Sequence, residues 1–128
     1  MSGYTIVNLK EVEDQAPNFG LSPHIEARMA RVALEAEATG VSYQRIEPNF
    51  RLPFGHKHKT QEEVYIVVRG SLRAKLEDEV IELKEWDAIR VSKDTMRGFE
   101  GGPQGAELIA IGVPGGSGDA EMEQGWWG

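Results

Sequence analysis

Two histidines and a glutamate pose the first chemical question. The chain reads His56-Lys57-His58, then four residues, then Glu63, and Gly70 follows seven residues later. Side chains alternate along a strand, so His56 and His58 point the same way in an extended segment. The run Glu63-Val64-Tyr65-Ile66-Val67-Val68 reads as a second strand, on which Glu63, Tyr65 and Val67 share a face. Two imidazoles and one carboxylate converging on a point can hold a divalent metal and leave positions open for substrate. Fe(II), Mn(II), Ni(II), Cu(II) and Zn(II) all suit such donors. In the competing reading both histidines are hydrogen-bonding groups of a barrel interior, with no metal. Glu62 is one residue out of phase with Glu63 and is expected to face solvent. Gln61 has two readings, an outer partner that orients a ligand or a solvated turn amide.

The elements that must carry these residues are β-strands. Short alternating segments run through Val41–Glu47, Leu52–His58, Glu63–Val68, Ser71–Leu76, Val80–Leu83, Ala88–Val91, Arg97–Glu100 and Glu107–Val113. Turn signals separate them at Pro48-Asn49, Gly70, Glu77-Asp78, Lys93-Asp94 and Gly101-Gly102-Pro103. Many short strands without helices between them predict an all-β sandwich or closed barrel. Upstream, Tyr4–Leu9 alternates like an edge strand, and Asn8 with Glu11 reads as the start of a short helix over Leu9–Gln15 that Pro17 and Gly20 end. Residues 25–38 favour helix by propensity, yet Ile25, Ala27 and Met29 alternate with polar neighbours. Residues 114–128 read as an irregular Gly-rich, acidic tail ending in Trp126 and Trp127. That pair is expected to pack the tail onto the barrel, with a dimer contact or pocket cover as the alternative.

At 128 residues the chain fits one domain, with a barrel core at about 41–113. Cysteine is absent, which excludes disulfides and thiolate metal sites. The net charge of −7 divides into −3 over residues 1–44, +1 over 45–97 and −5 over 98–128. No clustered basic surface rewards phosphate, so nucleic acid is not expected as a partner. No apolar run approaches the roughly 20 residues of a membrane helix, and the N-terminus does not read as a signal peptide. The expected location is the cytoplasm.

The His56-x-His58, Glu63 and Gly70 pattern resembles the first motif of the cupins, small double-stranded β-helix or jelly-roll barrels. The segment from Trp86 to Phe99 is similar to the second cupin motif, and the resemblance spans residues 41–112. Pro53–His58, Gln61–Tyr65 and Gly125–Trp127 further resemble stretches of a group of small single-domain bacterial cupins. The resemblance implies a cupin barrel with at most one or two short N-terminal helices. It also implies a β-hairpin of Ile25–Leu34 with Val41–Glu47, against local propensity, and metal ligation by His56, His58 and Glu63. The second motif departs from the family at Glu85-Trp86-Asp87, where Gly-Asp is usual, and at Ser92-Lys93-Asp94, where Pro-x-Gly is usual. Above all, Arg97 stands where the family places its fourth ligand, a His, and a guanidinium cannot coordinate a cation.

Three roles remain open for Arg97: an anchor for an anionic substrate, a partner for Glu63 where a metal would otherwise stand, or a surface residue snorkelling at the rim. Tyr65 and Arg97 are the candidate catalytic residues. The leading expectation is a metal-dependent enzyme of oxygenase, isomerase or lyase type acting on a small polar or anionic molecule. The alternative is a metal-free binding or sensing barrel in which Arg97 pairs with Glu63. Barrels of this kind leave sheet edges open, so a homodimer through the N-terminal strands is expected.

Overall fold

The computed structural model describes residues 3–113 and 118–128. Eight strands dominate: β1 (Ile25–Met29), β2 (Gly40–Ile46), β3 (Phe54–His58), β4 (Glu63–Leu76), β5 (Glu79–Lys84), β6 (Ala88–Val91), β7 (Arg97–Gly112) and β8 (Ala120–Gln124). The one α-helical turn among the described residues, α1, spans Arg31–Leu34. All pairings are antiparallel. One path through the sheet runs β1-β2-β7-β3-β8, and β4 joins it through β7 while also pairing β5 and β6.

The curl of the barrel comes from two long strands that change partners midway. The first half of β7 pairs Arg97–Gly101 with Leu76–Leu72, and its second half pairs Ala106–Gly112 with both β2 and the start of β4. A bulge marks the change. On β4 the buried residues are Tyr65 and Val67 before it and Leu72 and Ala74 after it. The inward phase thus moves from odd to even positions, a slip that would expose one half of a regular strand. Irregular pairing around Arg69 and Gly70 absorbs the slip. β7 repeats the device, with Arg97 and Phe99 buried before Gly105 and Ala106, Leu108 and Ala110 after it. Gly70 and Gly105 carry φ of 74° and 79°, the left-handed region glycine adopts without penalty. A Cβ on Gly70 would lie 2.0 Å from the Gly105 carbonyl oxygen. Gly70 therefore serves a bulge within a continuous strand, not the expected turn. Likewise Gly101-Gly102-Pro103 continues β7.

The core fills from both strands and their partners: Tyr65, Val67, Leu72, Ala74, Phe99, Leu108 and Ala110, closed by Ile25, Ile46, Leu83 and Val91. Alternating inward side chains on paired strands produce it.

Several expectations change at the ends of the chain. Tyr4–Leu9 forms no strand, and of the helix expected over Leu9–Gln15 only a 3-10 turn at Leu9–Glu11 forms, while a second 3-10 turn, Ala16–Phe19, runs through the Pro17 expected to end it. Asn8 does cap the first, its side chain accepting from the Lys10 amide. The strand expected over Ile25–Leu34 stops at Met29, and the good helix formers that follow make α1. The strand expected from Leu52 starts at Phe54. The tail expected to be irregular contains β8, which pairs along the whole of β3 from Phe54↔Gln124 to His58↔Ala120. Residues 114–117 of that tail lie outside the described residues. Trp126 then lies over Gly55 and Gly98, where a Cβ on Gly55 would come within 2.5 Å of its ring. Lys75 sits 4.4 Å from the Trp126 ring centroid, and Arg51 4.5 Å from that of Trp127. Both aromatics thus hold the tail on the barrel, as expected.

Candidate metal centre

Neighbouring strands bring the site together. β3 presents His56 and His58 on one face, and its inner neighbour β7 places Arg97 directly opposite His56. β4 starts at Glu63 and carries Tyr65 on the same side. Alternation alone accounts for both pairs.

One carboxylate oxygen is the focus. Glu63 Oε1 lies 3.1 Å from His58 Nε2, 3.5 Å from His56 Nε2 and 3.7 Å from Arg97 Nη2, and it accepts the Tyr65 hydroxyl. The other oxygen, Oε2, accepts from Gln61 Nε2 at 3.0 Å. Gly112 makes that reach possible, since a Cβ there would stand 2.5 Å from the Gln61 amide nitrogen. Glu62 points away and meets Arg90 at 3.4 Å, both exposed. The third histidine, His24, is elsewhere, bonded to Glu47 and stacked on Phe50.

Burial alone would raise the Glu63 pKa. Hydrogen bonds from His56 and Tyr65 and the charges of the imidazoles outweigh it and bring the group down to about 2. Burial pushes the Tyr65 phenol well up, and the adjacent Glu63 charge adds to this. Tyr65 is therefore a neutral donor whose proton is directed at Glu63.

Sequence reading missed one residue. Asp119, just before β8, is buried, and its Oδ2 lies 3.0 Å from His58 Nδ1. Its Oδ1 accepts from the Thr60 amide at 2.9 Å and the Thr60 hydroxyl at 2.6 Å. The Thr60 hydroxyl, then His58, hold its carboxyl below the usual range against the effect of burial. A carboxylate only accepts, so Nδ1 of His58 donates to Asp119. Nε2 then faces a second ionised carboxylate at 3.1 Å. Two acceptors at that distance repel, so a cation, proton or metal, belongs between them. No sequence signal beyond an acid in a Gly-rich tail marks Asp119.

The donors fit a metal. His56, His58 and Glu63 offer ligand atoms that all lie within 4.8 Å of one another. Ligand atoms at roughly 2.0–2.2 Å from a shared ion stand about 3.0–3.5 Å apart at octahedral or tetrahedral angles. The 3.1 Å and 3.5 Å separations from Glu63 Oε1 match. Asp119 supplies the carboxylate that orients a ligating imidazole in such sites.

Arg97 has no exposed surface, which removes the rim reading. Nη1 donates to the Thr95 carbonyl at 3.1 Å. Nε and Nη2 make no hydrogen bond. A surface groove lies away from this cluster at the Gly70 bulge, lined by Arg69, Ser71, Glu85 and Gln104.

No protein-family model matches the chain, and no curated protein matches it in sequence. Solved structures resemble it closely in shape. A cupin protein from Bacteroides fragilis is 22% identical over 91% of this chain and 89% of that one, with a TM-score of 0.73. KdgF from Halomonas sp. is 19% identical over 91% and 97%, with a TM-score of 0.70. The polyketide cyclase RemF from Streptomyces resistomycificus is 20% identical over 85% and 78%, with a TM-score of 0.70. The chain has the cupin fold. It is a small double-stranded β-helix barrel with a His-His-Glu group able to hold a metal.

Proposed function

We propose that this cupin barrel is a metal-dependent enzyme acting on a small polar or anionic molecule. His56, His58 and Glu63 are its metal ligands, and Asp119 and Gln61 orient them. The observation that carries the reading is the position of His58 Nε2, 3.1 Å from Glu63 Oε1 while Nδ1 is engaged by Asp119. A divalent ion held there supplies Lewis acidity and activates a bound water. Around it, Tyr65 fixes Glu63 through its hydroxyl, and burial of His58, Arg97 and Asp119 keeps bulk water from screening the charges. The ligand side chain that reaches the surface most is His56, 21% exposed against 13% for Glu63 and 9% for His58, so substrate enters on that side. Oxygenase, isomerase and lyase chemistry all suit three protein ligands with open positions. Fold likeness to a polyketide cyclase does not choose among them.

Elemental analysis of protein purified without an affinity tag tests the reading, with zinc or manganese titration of the wild type, His56→Ala and His58→Ala. One equivalent in the wild type and none in either variant is expected. A second reading has its own observation: Arg97 Nη2 approaches Glu63 Oε1 to 3.7 Å and supplies a built-in cation. A wild type that neither contains nor takes up metal favours this metal-free binding barrel.

A further inference from the structure

Arg97 carries the only buried side-chain nitrogen or oxygen atoms among the described residues that lack a hydrogen-bond partner. They are Nε and Nη2, and they are not a random pair. Their N–H bonds run parallel along one edge of the planar guanidinium, the edge that takes both oxygens of a carboxylate. The fork is held in place. Nη1 is tied to the Thr95 carbonyl, the Thr95 hydroxyl bonds Ser92 at 2.6 Å, and the backbone of Arg97 pairs with His56. Buried charged donors left unmade are costly. Two groups come near without satisfying them: Glu63 Oε1 stays 3.7 Å from Nη2 and already serves Tyr65 and the histidines, and the Tyr65 hydroxyl beside Arg97 gives its proton to Glu63 and forms no well-aligned bond with the fork.

We propose that the Nε–Nη2 edge of Arg97 is a carboxylate-binding fork, and that the molecule handled at this centre is a small carboxylic acid. The second half rests on the metal reading above. Charge supports the pairing. Arg97 and a divalent ion carry three positive charges, against two negative ones on Glu63 and Asp119. One anionic charge is missing from the buried site, and a monocarboxylate supplies it. A planar carboxylate presents two oxygens at the spacing that meets both donors at once. Binding of ion and carboxylate is then mutually reinforcing.

The test is calorimetric titration of acetate into zinc-loaded and metal-free protein, at constant ionic strength in chloride. The proteins are wild type and Arg97→Lys, which keeps the charge and loses the fork. Acetate binds zinc-loaded wild type, and saturating acetate tightens zinc by at least about fivefold. In Arg97→Lys acetate binding weakens at least about tenfold. A second measurement needs no variant: the Arg97 Nε–H resonance shifts on adding acetate and not on adding chloride. Acetate that binds Arg97→Lys as well as wild type, or leaves that resonance unmoved, overturns the proposal. Inorganic phosphate binding in place of acetate overturns the carboxylate assignment. If zinc does not bind the wild type, the metal reading fails on its own. Acetate on the metal-free pair then decides the fork: binding lost in Arg97→Lys sustains it, and no binding overturns it.

Discussion

Replacing Asp119 by Asn should cripple metal binding while leaving all three ligands in place. Asp119 Oδ1 accepts two donors from Thr60 and Oδ2 accepts His58 Nδ1. Asn has one acceptor and one donor end in the same shape. With its oxygen toward Thr60 it keeps both of those bonds and turns its NH2 to His58. With its oxygen toward His58 it sets NH2 against the Thr60 amide and leaves that N–H without its acceptor. The first arrangement wins by one hydrogen bond. It makes Nδ1 the acceptor, and the neutral ring then carries its proton on Nε2, the atom that should bind metal. Loss of such an orienting partner costs about 10- to 100-fold in metal affinity. Asp119→Ala should cost no more than Asp119→Asn, because water can accept from Nδ1 and does not impose the wrong tautomer. Zinc affinity is read by competition with a chromophoric chelator. The tautomer is read in metal-free protein from long-range nitrogen–proton correlations of the imidazole. Zinc affinities equal within about twofold across the three proteins, or a His58 ring in Asp119→Asn that keeps its proton on Nδ1, would refute the reasoning.

The structure makes four further predictions. The Glu63 pKa is about 2 against an ordinary 4.5, so the group contributes stability above pH 4.5 that is lost as pH falls toward 2, about 3 kcal/mol in all. Glu63→Gln should flatten urea-derived stability across that window, and an unchanged slope would contradict the shift. Gly70→Ala should cost at least about 2 kcal/mol, because φ of 74° disfavours a Cβ and the Gly105 carbonyl blocks it; a urea midpoint like wild type would argue against the bulge. Zinc should slow hydrogen exchange of the β8 amides, since β8 pairs with the histidine strand and Asp119 reaches its ligand; equal exchange with and without zinc would uncouple tail and site. A homodimer is expected through the N-terminal strands, where Met29 at the end of β1 and the nearby Val32 are exposed and where Asp14 and Gln15 bridge the outer edge of β1 at Ala27 and Arg28; light scattering that finds only the 14.2 kDa chain would exclude it.

Period-two alternation made the ligand set legible. It puts His56 with His58 and Glu63 with Tyr65, and the structure keeps both pairs. It failed where a strand changes phase. Gly70 and Gly101-Gly102-Pro103 look like turns because glycine and proline usually punctuate strands. In this barrel glycines at 70 and 105 take up one-residue slips inside strands of 14 and 16 residues. Local pattern also fails for β8, all five of whose residues are exposed and so carry no inward phase to read. Its existence depends on β3, more than sixty residues away. That pairing, rather than anything local, brings Asp119 to His58. An acidic tail reads as solvated on composition, and Asp119 is the acid in it that departs from that rule.

Arg97 ties these threads together. At the position where the cupin pattern has a His, a guanidinium replaces a ligand with a permanent charge beside the metal position. Such a charge weakens a bare cation site, so the substitution makes sense only if something negative enters with the metal or if no metal enters at all. The two cases differ in what happens to the unpaired edge. In a metal-free barrel Arg97 has Glu63 as its counterion and should turn Nε or Nη2 onto it. Instead Nη2 remains 3.7 Å from Oε1, while Tyr65, His58 and Gln61 occupy the carboxylate. Glu63 is thus held for the imidazoles, and Arg97 is held by Thr95 with its fork unmatched. An arrangement that satisfies the carboxylate and leaves the guanidinium wanting is the one expected of a site completed by an anion from outside.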